Sequence, residues 1–281
     1  MAVQGTEKTV LEEITATYDD LFQAEKKVAD YILANHEAAV NSNVSELANN
    51  SGVSDATVIR FCKHLGYEGY YQMRLLLSRD IGRRASALDS PDNAGTSVQS
   101  IFQHIADSAL AAANATDEKV YRDAVELLRQ CTMVHLVAMG NTTSLCQDMG
   151  PRLERMGIRC TYSILAEHYM HHIHLGSSTD VVLAISGSGS SKNVVKALNL
   201  AREKGMKSIA VTAFQYSPVS RLADYLLLSA PRGKSDTGLF RVSRLNEMMV
   251  LETLAIMLEN SVISDDVDLV ESEMFLSETK L

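Results

Sequence analysis

Two hydrophobic periods run along this chain, and they divide it. In residues 21–36, LFQAEKKVADYILANH, the positions Leu21, Val28, Ile32 and Leu33 fall on one stripe of a 3.6-residue repeat. That spacing predicts an amphipathic helix, and the patterning stays helical to about residue 84. Two further helices, at about 98–114 and 117–130, then give way to short apolar runs alternating with helical segments. The runs are 134–139 (VHLVAM), 158–163 (IRCTYS), 181–185 (VVLAI), 208–212 (SIAVT) and 225–228 (YLLL). Helices are expected between them at about 143–156, 166–175 and 191–204, with a short one near 218–223. A last, largely apolar helix covers about 243–260. Short buried runs alternating with helices imply a parallel sheet covered on both faces. Five such strands commonly wind doubly, in the order 2-1-3-4-5.

Between the two halves, residues 84–97 read RASALDSPDNAGTS, with few side chains able to join a core. The expected organisation is an all-α helical domain over residues 1–84, a linker over 85–97, and a doubly wound α/β domain with a five-stranded parallel sheet over 98–281. The acidic tail 261–281 is expected to be loose, and no internal repeat is evident. With 46% hydrophobic residues in 281, there is enough apolar material for a core in each domain. No stretch approaches the ~18 apolar residues of a membrane helix, and the first residues lack a basic and an apolar signal region. The expectation is a cytoplasmic protein without a membrane partner. Cys62, Cys131, Cys146 and Cys160 lack CxxC spacing and fall in apolar-patterned segments, as buried reduced thiols would.

Chemistry concentrates where the strands end. After the first strand comes Gly140-Asn141-Thr142-Thr143-Ser144; after the third comes SGSGSSKN, residues 186–193. In a 2-1-3-4-5 winding the sheet reverses between these strands, and ligands sit beyond their carboxyl ends. Both loops lead into helix N-termini, whose free N–H groups favour an anion, and serine hydroxyls rotate to donate to it. Gly187 to Lys192 does not supply the GxxxxGK[ST] of a nucleotide-binding P-loop, and Lys192 stands where a dinucleotide fingerprint needs its third glycine. A single phosphate on a small polyhydroxylated molecule suits the pocket better, and no cofactor is implied.

The helical half holds its own signal. In NSNVSELANNSGVSDATVIRFCKHL, residues 41–65, Asn43 or Ser45 can cap a short helix and Gly52 can make a tight left-handed turn. Ser54 can cap the next helix, with Val58, Phe61 or Cys62, and Leu65 turned inward. Helix, glycine turn and helix make a helix-turn-helix plan. Its expected outward positions are Ser54, Asp55, Thr57, Arg60, Lys63 and His64, residue types that meet phosphates and base edges. Residues 1–53 carry three basic and nine acidic side chains, whereas 54–84 carry six basic and three acidic. The net charge of −9 argues against wholesale coating of nucleic acid, but not against one local reading module.

These motifs carry two resemblances. From about 130 to 230 the chain resembles a sugar isomerase (SIS) domain, a phosphosugar-binding α/β module: Ser186, Ser188, Gly189 and Ser191 match S-x-S-G-x-T/S, and Ser217-Pro218 precedes the last strand. The usual G-x-G-x-S of the first loop departs here, because Thr142 replaces the second glycine. Residues 53–77, VSDATVIRFCKHLGYEGYYQMRLLL, resemble the V-S-x-x-T-x-x-R-F-x-x-x-L-G-[FY]-x-G-[FY] stretch of RpiR-type bacterial regulators, which join a helix-turn-helix domain to a SIS domain in this order. Together the resemblances cover about 20–260.

They imply a regulator of sugar-metabolism genes whose operator binding is modulated by a phosphorylated sugar or amino sugar. The implied phosphate ligands are Ser144, Ser186, Ser188 and Ser191 on loops shaped by Gly140 and Gly189, with His168 toward the sugar hydroxyls. Thr57 and Arg60 are implied in base contact, Ser54 and Lys63 in phosphate contact, with His64 on the same face. The implied partners are a palindromic double-stranded operator, the sugar phosphate, and further copies of the chain as a homodimer or tetramer. Met248, Met249, Leu251 and Leu254 of the last helix suit either a dimer face or the chain's own core.

Two other readings compete with this one. In residues 167–174, His168 and His172 stand i, i+4, yet no acidic or thiolate partner has matching metal spacing, and no metal site is expected. His174 suits the surface and His135 a buried strand position. A SIS-type isomerase or lyase would need a general base, for which Glu247 and Glu167 are the candidates. Neither has a paired acid or a catalytic motif around it, and Glu247 fits a solvated helix position, so a non-enzymatic role is expected.

Overall fold

The computed structural model describes residues 9–88, 97–229 and 244–263, and it divides into two compact units. Of the described residues, one holds 9–88 and 97–101 and the other holds 102–229 and 244–263. Most of the compositional linker and nearly all of the acidic tail lie outside the described residues.

The first unit is helical: α1 (Val10–Thr17), α2 (Gln23–Ala34), α3 (His36–Asn41), α4 (Val44–Asn50), α5 (Asp55–His64) and α6 (Tyr70–Leu88). Side chains that accept from free backbone N–H groups start these helices. Thr9 and Glu12 cap α1 reciprocally, and of the two residues that could cap α4 it is Asn43 that accepts from Ser45 and Glu46 N–H, at 2.8 and 2.9 Å. The apolar stripe at Val28 and Ile32 packs with Ile14, Leu47, Val58, Phe61, Met73 and Leu77, all fully buried. Such packing, rather than propensity, is what keeps helices this short folded.

The second unit begins at residue 102, within α7 (Val98–Ala115), continues with α8 (Glu118–Gln130), then alternates β1 (Val134–Ala138), α9 (Thr143–Arg155), β2 (Cys160–Tyr162), α10 (Ala166–Leu175), β3 (Val181–Ile185), α11 (Lys192–Glu203), β4 (Lys207–Thr212) and β5 (Tyr225–Leu228), ending in α12 (Leu245–Ile263). The strands form one parallel sheet in the order β2-β1-β3-β4-β5, as the alternation predicts. Successive strand residues face opposite sides, and both sides are buried. Val134, Leu136, Leu183, Ile185, Ile209 and Val211 pack with α8, α9 and α12; Val137, Val182, Ala184 and Ala210 pack with α10 and α11. Leu251 and Leu254 belong to the first of these cores, whereas Met248 and Ile256 lie on the exposed side of α12.

One predicted element differs. Residues 218–223 form turns rather than a short helix: Arg221 N–H reaches the Ser217 carbonyl at 3.1 Å, but Leu222 N–H turns back to the Val219 carbonyl at 3.1 Å, so the first helical turn is not continued. Ser220 Oγ accepts from Ser217 N–H at 2.8 Å, and Ser217 Oγ accepts from Ser220 N–H at 3.0 Å. Among the described residues, no helix is long and apolar enough to cross a membrane.

His135 is buried in β1, with Nδ1 2.9 Å from Thr161 Oγ1 and Nε2 3.4 Å from the Asp180 carboxylate. Burial lowers its pKa, and the Asp180 hydrogen bond only partly opposes this. Below its ordinary value of about 6.5, the unfolded chain takes up a proton that the folded chain resists. Stability is therefore held above that pH and falls as pH drops below it. Melting temperatures at pH 7.5 and 5.5 are expected to fall further for the wild type than for His135→Gln; equal falls would exclude His135 as the cause.

Candidate functional site

On α5, the fold presents a narrow outward face. Gly52 closes the turn before it at φ +64°, with open space where a Cβ would lie, so conformation rather than crowding requires the glycine. Ser54 caps the helix by accepting from Thr57 N–H at 3.3 Å, and Ser45 of α4 donates to Asp55 at 2.5 Å, joining the two helices across the turn. Val58, Phe61, Cys62 and Leu65 all point inward, while Ser54, Ile59, Arg60, Lys63 and His64 are exposed.

Thr57 departs from the expected outward placement, being only 5% exposed. It stands four residues before Phe61, so it shares the inward stripe. Its hydroxyl still meets the surface: Thr57 Oγ1 lies 3.0 Å from Ser54 Oγ and accepts from Arg60 Nη2 at 3.3 Å. His64 also has a partner, with Nδ1 2.9 Å from the buried Glu25 carboxylate and its ring beside Phe22, tying α5 to α2.

In the second unit, β1 and β3 pair in register from Val134↔Val181 to Ala138↔Ile185, so their two loops leave the sheet level with each other. Gly140 makes the first turn at φ +68°. Thr142, where the usual pattern has glycine, turns its side chain under the loop; Oγ1 donates to the carbonyls of Met139 and Ile185, each at 3.1 Å. The threonine thus bridges the two loops instead of filling the crevice between them. Ser144 is exposed in the first turn of α9.

The second loop is packed from beneath. Ser186 is buried, Ser188 accepts from Ser190 N–H at 3.3 Å, and Ser191 holds the N-cap of α11 without a side-chain cap bond. Gly189 has φ +62°, and a Cβ there would run into the Ser217 side chain and meet Thr212 Oγ1 at 3.0 Å. A Cβ on Gly187 would run into the Arg244 guanidinium and lie 2.6 Å from the Glu247 carboxylate.

Glu247 is therefore not a solvated helix residue. It is 4% exposed, accepting from Ser229 Oγ at 3.3 Å and Arg244 Nη1 at 3.4 Å. The ion pair beneath the loop, including Arg244, is not legible from spacing: one turn of α12 brings its members together, but nothing in the sequence places that turn under Gly187. Glu167 is exposed in the first turn of α10. His168, His171, His172 and His174 of that helix are also exposed, and His168 Nδ1 lies 3.4 Å from Ser163 Oγ. Among the described residues, no three His, Cys, Asp or Glu side chains are grouped to hold a metal ion.

Residues 8–84 match the helix-turn-helix domain of the rpiR family, and residues 127–257 match the SIS domain. The transcriptional regulator HexR of Pseudomonas aeruginosa is 30% identical over 257 residues, covering 88% of this chain and 88% of that protein. HexR of Escherichia coli is 28% identical over 250 residues, covering 88% of this chain and 86% of its own length. Among solved structures, Vibrio vulnificus NanR, complexed with ManNAc-6P, superposes with a TM-score of 0.79 over 96% of this chain and 97% of its own, at 24% identity.

Proposed function

Because the chain belongs to the RpiR family of helix-turn-helix transcriptional regulators, we propose that α5 reads an operator and that the loops after β1 and β3 hold a phosphorylated sugar or amino sugar that modulates this binding. The observation that carries the reading is the level exit of two hydroxyl-bearing loops, each at a helix N-terminus, from the central strands. In this reading Ser144, Ser186, Ser188 and Ser191 donate to the phosphate, Gly140 and Gly189 shape the loops, and His168 reaches the sugar hydroxyls. The ligand of NanR, a phosphorylated amino sugar, is of the chemical class proposed here.

Arg60 makes base contacts, while Ser54 and Lys63 contact DNA phosphates. The His64 side chain, held by Glu25, acts first as a brace for the reading helix. A single exposed helix binds DNA weakly, so the working form is a homodimer on a two-fold-related operator in the cytoplasm. Residues 1–84 and 98–281 form the reading and sensing domains, with 85–97 as the connection through which the effector changes their arrangement. The effector shifts that equilibrium only by its differential affinity for the two arrangements.

Burial of Glu247 beside Gly187 is the one feature that favours an isomerase or lyase. That carboxylate is, however, already engaged by Arg244 and Ser229, and in this reading the protein acts as a sensor rather than an enzyme. The test is the melting temperature of the full chain against a panel of sugar phosphates, each beside its unphosphorylated parent. One phosphosugar is expected to raise it, and the rise is expected to vanish with the parent and in Ser188→Ala. Consumption of that compound by the wild type would establish the enzyme reading instead.

A further inference from the structure

We propose that Thr57 is a positioning residue for DNA reading, its buried hydroxyl coupling Arg60 to Ser54 so that both are set in place before DNA arrives. The inference rests on α5 being the reading helix. The Thr57 hydroxyl links the two exposed side chains. A guanidinium has donors only, so Thr57 Oγ1 accepts from Arg60 Nη2 at 3.3 Å. Thr57 Oγ1 and Ser54 Oγ share a hydrogen bond at 3.0 Å that either hydroxyl can donate. Ser54 Oγ also accepts from Thr57 N–H at 3.3 Å. In the proposed arrangement Thr57 is the donor when DNA binds, which leaves the Ser54 O–H, on an exposed residue at the start of the helix, to point outward. A DNA phosphate accepts such a donor.

With Thr57 as the donor, the chain of bonds runs from the cation through the threonine and serine hydroxyls to the phosphate. Each bond polarises the next. Spending one N–H on Thr57 leaves Arg60 others for the two acceptors of a guanine edge. It also fixes part of a long side chain in advance, lowering the ordering cost of binding. The anchor itself is firm, because Thr57 is 5% exposed and β-branched, with few rotamers open to it in a helix. A threonine at this position therefore serves the core with its carbon atoms and the DNA face with its oxygen.

The probe is a duplex enriched from a random-sequence pool on the wild-type full chain, titrated by fluorescence anisotropy at several salt concentrations. Thr57→Val, nearly isosteric, is expected to weaken binding about tenfold, whereas Thr57→Ser, which keeps the hydroxyl, stays within about threefold. Thr57→Val and Ser54→Ala remove no charge and are expected to leave the salt slope unchanged, so their losses are read at a single salt concentration. Thr57→Val and Arg60→Ala are expected to be non-additive, as coupled groups are. Additive losses, or a Thr57→Ser variant as weak as Thr57→Val, would overturn the proposal, leaving Thr57 as core alone. Should Thr57→Val fold poorly, the cycle of Ser54→Ala with Arg60→Ala carries the same test. If Arg60→Ala and Ser54→Ala both bind as wild type does, the assignment of α5 itself fails, a result distinct from loss of the coupling alone.

Discussion

Arg60→Ala is expected to lower operator affinity by about ten- to a hundredfold, the loss associated with one bidentate base contact, while leaving sugar-phosphate binding unchanged. Arg60 is exposed on α5 and held by Thr57, so its removal leaves the buried stripe of Val58, Phe61 and Leu65 intact. Lys63→Ala provides the contrast. As a phosphate contact it is expected to weaken all sequences alike and to reduce the salt slope by about one, without altering base preference. Anisotropy titrations of both variants on the enriched duplex and on a shuffled one separate the two effects. Loss of sugar-phosphate binding in Arg60→Ala would contradict the division of labour between the domains.

Gly189→Ala is expected to be the most disruptive single-methyl change in the phosphate loop. It adds left-handed strain at φ +62° and also a collision with Ser217, two of the mechanisms behind large mutational losses. Together these cost about 2–4 kcal/mol, or roughly 5–10 °C in melting temperature for a unit of this size. Gly52→Ala separates the two causes. Its φ is +64°, yet nothing lies within 4 Å of the added carbon, so strain alone applies, at about 1–2 kcal/mol. Denaturant unfolding of the full-length variants should give the larger loss for Gly189→Ala, which should also lose its sugar-phosphate melting shift. Equal losses in stability would mean that the Ser217 side chain yields at little cost.

The parallel sheet was legible because β1, β3 and β4 are apolar on both faces and short, a pattern that few other architectures require. Strand order followed from the usual winding, and the order placed the two hydroxyl loops side by side. The turn at Gly52 and the cap at Ser54 were legible for local reasons, since few residues suit those backbone positions. What the sequence did not carry was side-chain direction near the edge of a stripe. Thr57 sits where the inward and outward faces of α5 meet, and polarity alone put it on the wrong one. Glu247 was misplaced for the same reason: a carboxylate on an apolar helix suggests solvent until its partners, Arg244 and Ser229, are brought in by tertiary packing. Thr142 departs from the glycine of the usual pattern, and only the fold shows that its hydroxyl is directed to carbonyls beneath the loop.

The most direct test of coupling between the two sites is operator affinity measured with and without the sugar phosphate that stabilises the full chain. That compound is expected to change the dissociation constant of the enriched duplex by at least about fivefold, the lower end of ordinary coupling between sites. Its unphosphorylated parent is expected to have no effect, and Ser188→Ala is expected to bind the duplex normally but not respond. A wild-type chain that binds the sugar phosphate yet holds its duplex with unchanged affinity would contradict the coupling of sensor to reader.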